Sequence, residues 1–218
     1  LCHKMGMRSC KELRLRWKVV CHDFSAADLA TLGKLGSVLP ALERLALHVP
    51  GAGIDGVQRL AEGLGAGALP AVNYLVINCM PVGDAGASAL AAALGRGALP
   101  QLKRLVLDYA AIGDAGLVAL SPALRWLPAL ERLSLGGNTI TDAGLVALAP
   151  ALRRLPALQH LYLLHNPFGD EGLAALLAPP PPAGAPPTTT GVLTKLKTLD
   201  LRYTQITDAG CAALAAAF

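Results

Sequence analysis

Aromatic residues make up only 4% of this 218-residue chain: three phenylalanines, two tryptophans and four tyrosines. A core must therefore be aliphatic, and stacking platforms for nucleic-acid bases are scarce. Long apolar runs are also missing. The hydrophobic fraction is 53%, but much of it is alanine, and no stretch approaches the roughly 18 uninterrupted apolar residues of a membrane span. The cysteines Cys2, Cys10, Cys21, Cys79 and Cys211 are odd in number and irregularly spaced. That excludes a disulfide framework and favours a reducing, cytoplasmic setting. Cys2-His3, Cys10 and Cys21-His22 cluster early, but their gaps are wider than those of paired zinc ligands.

Motifs that would carry chemistry are absent as well. There is no G-x-x-x-x-G-K-[ST] loop and no G-x-S-x-G elbow. Gly51-Ala-Gly53-Ile-Asp-Gly56 matches G-x-G-x-x-G, yet Tyr74 to Asn78 offers no acid to hold a ribose. Asp108 and Asp200 belong to strands three apart, on the order of 14 Å, too far for a paired acid–base site. His160 and His165 fall in one extended stretch, where odd spacing puts them on opposite faces of a regular strand. These absences point away from an enzyme, a small-molecule substrate and a cofactor.

What is present is repetition. An aliphatic anchor recurs at Val19, Leu47, Ile77, Leu107, Leu135, Leu163 and Leu201. The spacings are 28 or 30 residues, except the last, which carries a ten-residue insertion. Each unit alternates in its first half, as in Leu133-Ser-Leu135, which predicts a short strand with one buried face. Its second half places leucines three and four apart, as in Leu145, Leu148 and Leu152, which predicts a helix. Asp84, Asp114, Asp142, Asp170 and Asp208 precede the helical runs, each followed two residues later by glycine. There an Asp is expected to cap the amides of its own helix. Leu-Pro pairs at 39–40, 69–70, 99–100, 127–128 and 155–156 are expected to stop the helices.

These residues resemble leucine-rich repeats. The period and the Ile-x-Asp-x-Gly link are similar to the ribonuclease-inhibitor class of that family, over roughly residues 11–218. The resemblance implies an α/β fold: a right-handed solenoid, or horseshoe, of about seven strand–helix units, with a parallel concave sheet and helices on the convex side. Two units depart from the pattern. Ala26 replaces the Asp of the first, and Ala52 and Ile54 stand where Ile and Asp belong in the second. The asparagine that follows the strand survives as Asn138 and Asn166, while Pro50, Met80, Ala110 and Thr204 occupy the same place elsewhere.

Residues 1–10 read as a basic N-terminal edge. Lys4, Arg8, Lys11, Arg14, Arg16 and Lys18 stand against Glu12 alone, and the other residues sum close to neutral. A Pro-rich loop at about 179–191 interrupts the solenoid. The chain starts at Leu1 and ends inside a helical run without polar caps. It is therefore expected to be part of a longer protein, with self-association through uncapped ends a possibility.

Between the anchors, the residues expected on the concave side begin with Arg16, Arg44, Tyr74, Arg104, Arg132 and His160. Arginine and tyrosine are favoured at interface hot spots. The candidate partner-binding strip is Arg44, Tyr74, Arg104, Arg132, His160 and Tyr162. The expected function is a non-enzymatic scaffold that binds another protein, with nucleic acid disfavoured by the small central residues. The alternative that the family implies is a GTPase activator resembling that of the Ran GTPase, although no acid-rich tail occurs here.

Overall fold

The computed structural model describes residues 11–16, 29, 40–48, 53–177 and 195–216. The N-terminal edge, the early Cys/His cluster and the Pro-rich loop lie outside the described residues. Seven parallel strands form one sheet in chain order: β1 (Glu12–Arg16), β2 (Arg44–His48), β3 (Tyr74–Ile77), β4 (Arg104–Val106), β5 (Arg132–Ser134), β6 (His160–Tyr162) and β7 (Thr198–Asp200). Helices alternate with them: α1 (Gly53–Gly63), α2 (Gly83–Gly95), α3 (Asp114–Ala123), α4 (Asp142–Arg153), α5 (Asp170–Leu177) and α6 (Asp208–Ala216). Parallel neighbours need a crossover of this length, and the helix supplies it.

The core lies between sheet and helices and runs unbroken through the stack. Strand anchors such as Leu105, Leu107, Leu133 and Leu135 point into it, as do Leu145, Leu148 and Leu152 of α4. Gly53 and Gly56 lie in the first turn of α1, in register with the other helices.

The first unit pairs in a different register from the one its sequence predicts. Leu15, not Val19, stands opposite Leu47, and Glu12, not Arg16, opposite Arg44. The reason is that Leu13-Arg14-Leu15 and Trp17-Lys18-Val19 both alternate, and a slip of four residues keeps every side chain on the same face. The Leu-Pro pairs also act otherwise than expected. The helices end before them, at Gly63, Gly95, Ala123 and Arg153, while Pro122 and Pro150 sit inside α3 and α4. The leucines at 69, 99, 127 and 155 are buried plugs, and each proline after them is exposed where the chain turns toward the next strand.

The aspartates cap the next repeat rather than their own. Asp84 Oδ1 accepts from the amides of Gly113 (2.7 Å) and Gly116 (2.9 Å), one unit on. Asp142 Oδ1 does the same for Gly169 (2.8 Å) and Gly172 (2.7 Å). Asp114 and Asp170 take the amide and hydroxyl of Thr141 and Thr207. Those two threonines cap their own helices through Ala143 and Ala209. This explains the recurring glycine. A Cβ on Gly116 would lie 2.7 Å from Asp84 Oδ1 and 2.8 Å from Ile112 Cγ2.

The two asparagines form adjacent buried rungs. Asn138 Oδ1 accepts from the amides of Ala110 and Ile112, and its Nδ2 donates to the carbonyls of Leu107 and Leu135. Asn166 bridges Leu135 and Leu163 in the same way. Met80 and Ala110, in the equivalent places, are fully buried without such bonds to offer.

Two predictions follow from the inter-repeat caps. Gly116→Ala overfills the contact with Asp84 and is expected to cost about 1–3 kcal/mol in urea denaturation; an unchanged midpoint would show that the carboxylate can move aside freely. The bonds from Thr207 hold the Asp170 carboxyl below its ordinary value of 3.8. Its stabilisation is therefore present above that value and lost as pH falls through the lowered one. Thr207→Val is expected to be less stable than the parent at neutral pH. That gap should narrow in acid to the cost of the lost Ala209 cap, as measured by denaturation across pH.

Candidate functional site

The face of the sheet opposite the helices has no described element over it. Along β2, residues alternate between the core and this open face: Arg44, Ala46 and His48 are at least partly accessible, while Leu45 and Leu47 are buried; Val76 of β3 and Ser134 of β5 occupy open-face positions but are themselves buried. Because the strands pair in register, equivalent residues line up across the sheet. One row reads Arg44, Tyr74, Arg104, Arg132, His160, Thr198. Five of the six sequence-derived strip residues are thus consecutive in that row. The sixth, Tyr162, lies two residues along β6, opposite Ser134.

The row is organised by cation–ring contacts. The Tyr74 ring has the Arg44 guanidinium 4.8 Å and the Arg104 guanidinium 5.8 Å from its centre. Arg132 sits 5.3 Å from the centre of Tyr162. Such contacts hold long side chains in place while leaving guanidinium donors free. The Arg132 Nε is buried and has no acceptor among the described residues. His160 Nδ1 lies 3.0 Å from Thr198 Oγ1. Partial burial and then the charges of Arg132, Lys197 and Arg104 pull its pKa below 6.5, against the opposing pull of Glu131. The charged form of the ring is therefore disfavoured, and the row's positive charge rests mainly on the arginines.

Beyond the strand ends lies Asp108, whose Oδ1 accepts from Ser134 Oγ (2.7 Å) and the Gly136 amide (2.8 Å). Burial raises its pKa despite these two bonds, which lower it. At the far end Asp200 pairs with Arg202 at 2.7 Å, which holds the Asp200 carboxyl low. A shallow hollow of about 280 Å³ opens beside Arg44 and Tyr74, with Ala46, Val76 and Val106 along it. A hollow of about 300 Å³ on the helix side, between α3 and α4, is lined by Val118, Pro122, Ala147 and Pro150 with flanking Arg125 and Arg154. No set of polar groups converges there.

One feature escaped the sequence reading. Cys79, Tyr109, Gly137, His165 and Tyr203 each stand two residues after a strand anchor, and all take positive φ, between 51° and 65°. Their side chains therefore emerge side by side from equivalent turns. Tyr109 lies across Gly137, where any Cβ would collide with its ring. The Tyr109 and His165 ring centres are 6.5 Å apart, and His165 stacks on Tyr203 at 4.2 Å and 9°. Both tyrosines are more than half exposed, at 53% and 72%. The signal was the shared offset of two residues after the anchor. His165 accordingly does not sit opposite His160 on one regular strand: β6 ends at Tyr162, and the chain has turned before His165.

Among the described residues no group of three or more metal-ligating side chains comes together, and no helix is long and apolar enough to cross a membrane.

Comparison with known proteins agrees with this architecture. Residues 99–121, 128–149, 155–177 and 192–215 match the family described as Leucine Rich repeat. No curated protein matches the sequence. Among solved structures, leiomodin-1 actin-binding site 2 is similar, with a TM-score of 0.51 and 18% identity, over 62% of this chain and 77% of that one. At that identity the likeness speaks to fold alone.

Asp108 supplies a test of how dry this face is. Its carboxylate is disfavoured by burial, so Asp108→Asn is expected to be more stable than the parent at neutral pH. That advantage should vanish below pH 3.8, where the parent's Asp is protonated in both states. Lower stability of the variant at neutral pH would mean the two donated bonds outweigh burial.

Proposed function

We propose that this leucine-rich-repeat chain is a protein-binding scaffold that grips its partner with the open face of the sheet. The observation that carries the reading is the unbroken row from Arg44 to His160, which crosses five strands and is covered by no described element. Seven strands at about 4.8 Å span roughly 30 Å, enough for the 20–30 residues a side of an ordinary interface. Arginine, tyrosine and histidine supply hot-spot chemistry, and Tyr162 and the Tyr109–His165–Tyr203 edge extend it along one side.

The finer details belong to the same proposal. The stack curves as in the ribonuclease-inhibitor class, so that the open face is concave. The function is recognition rather than catalysis. The exposed free thiols of Cys79 and Cys211 suit a reducing, cytoplasmic compartment. The leiomodin-1 segment binds actin by its description; that supports a protein as the class of ligand and does not carry actin over to this chain.

The face is tested by blocking it. Ala46→Arg with Val106→Arg places bulk on the open side without entering the core. Capture of the partner from extract by the full chain is expected to be lost, with the melting temperature nearly unchanged. Val146→Arg, on the exposed side of α4, should leave capture intact. The reverse pattern would move the interface to the helices.

A further inference from the structure

The open-face reading leaves the partner's chemistry unnamed, and the inference here rests on that reading. Ion pairs among the described residues include Lys11–Glu43, Lys103–Glu131 and Arg202–Asp200. Arg44, Arg104 and Arg132 share in none of them. Their guanidinium groups are propped on the rings of Tyr74 and Tyr162 instead. Three arginines therefore stand in one row, held in place by aromatic faces, with Glu12 opposite Arg44 at the β1 end. Arg104 and Arg132 are directly paired neighbours on adjacent strands. Arg104 leans toward Tyr74 on β3 and Arg132 toward Tyr162 on β6, so the two guanidinium forks are set to address two separate carboxylates. Beside them, the hollow of about 280 Å³ has Ala46, Val76 and Val106 along it together with Glu12, Arg44, His48 and Asn78, so its walls are part apolar and part polar.

We propose that the open face takes an extended, acidic segment of a partner protein, with separate carboxylates on Arg104 and Arg132. The segment lies across the strands, because the row does. Electrostatic complementarity of this kind sets the choice of partner and the speed of encounter.

A nucleic acid is the rival polyanion, and two observations disfavour it. The rings of Tyr74 and Tyr162 already have arginine over them, so they offer no open platform for a base. Asp108 and Asp200 border the row and break the positive surface that a continuous phosphate backbone would follow. A ligand with separated negative charges and apolar side chains between them fits better.

The experiment is fluorescence anisotropy with the whole chain and a labelled peptide of alternating Glu and Val. A length of about nine residues spans the roughly 30 Å sheet at ~3.4 Å per residue. The same peptide with Lys for Glu, and a single-stranded DNA of similar length, serve as the other arms. The acidic peptide is expected to bind saturably. Its affinity should fall several-fold as salt rises from about 50 to 300 mM, over which screening strengthens. Arg104→Ala with Arg132→Ala should weaken it about tenfold or more. Lys103→Ala, already paired with Glu131, should leave it unchanged. Circular dichroism melts establish that each variant folds.

No saturable binding of the acidic peptide, equal binding of the lysine peptide, tighter binding of the DNA, or indifference to the double arginine change would each overturn the proposal. The underlying face reading fails separately. If Ala46→Arg with Val106→Arg abolishes capture of the natural partner while the double arginine variant captures it normally, the face stands and the acidic ligand falls. If the blocking pair leaves capture intact, the face itself is wrong.

Discussion

The units that hold Gly113, Thr141, Gly169 and Thr207 do not complete their own hydrogen bonding. The amides where strand passes into helix are met by the aspartate of the preceding unit, as Gly113 and Gly116 are met by Asp84. The strand carbonyls of Leu107 and Leu135 are met by Asn138 and Asn166 of the unit that follows. Each such group, left buried without a partner, costs about 1–3 kcal/mol. A single unit would leave several unmet and would also expose one side of its leucines. Stacking removes both costs together, which is why stability in such a molecule is a sum over neighbours rather than the property of one centre.

The stack also divides the residues into two kinds. Where the same residue recurs unit after unit, as Asp does at 84, 114, 142 and 170, the position completes a neighbour's backbone and has no freedom. Where residues differ along a row, as in Arg44, Tyr74, Arg104, Arg132, His160 and Thr198, the backbone makes no demand and the surface is free to serve recognition. The turn position lies between these extremes. Its backbone is fixed at positive φ, but Cys79, Tyr109, Gly137, His165 and Tyr203 all adopt it. The glycine there makes room for the tyrosine ring of the unit before it. Uniformity within the chain tracks the fold, and variety tracks the candidate binding surface.

This division explains what was legible beforehand. Strand, helix and the Arg–Tyr–His strip could be read because each depends on periodicity within one unit, which alternation and the three-and-four spacing carry directly. The direction of the aspartates could not, since a residue before a helix looks like that helix's own cap until the neighbouring unit is in place. The register of the first unit was hidden because two alternating stretches compete and alternation alone cannot choose between them. The aromatic edge was hidden because its members are different residue types at one offset, and only the left-handed turn brings their side chains together.

On the proposed reading, the arginines of the row serve to meet another molecule rather than to hold this one together. An arginine in an ion pair must give up that carboxylate before it can accept a partner's, and the exchange returns little net energy. One resting on an aromatic ring keeps its position and most of its donors, so less side-chain freedom is lost when a carboxylate arrives. Burial and the neighbouring cations disfavour the charged form of His160. The strip therefore holds its positive charge at fixed points, and its attraction for a partner depends on where that partner carries acids. That is a condition for selectivity, which a mobile or self-paired basic surface would not meet.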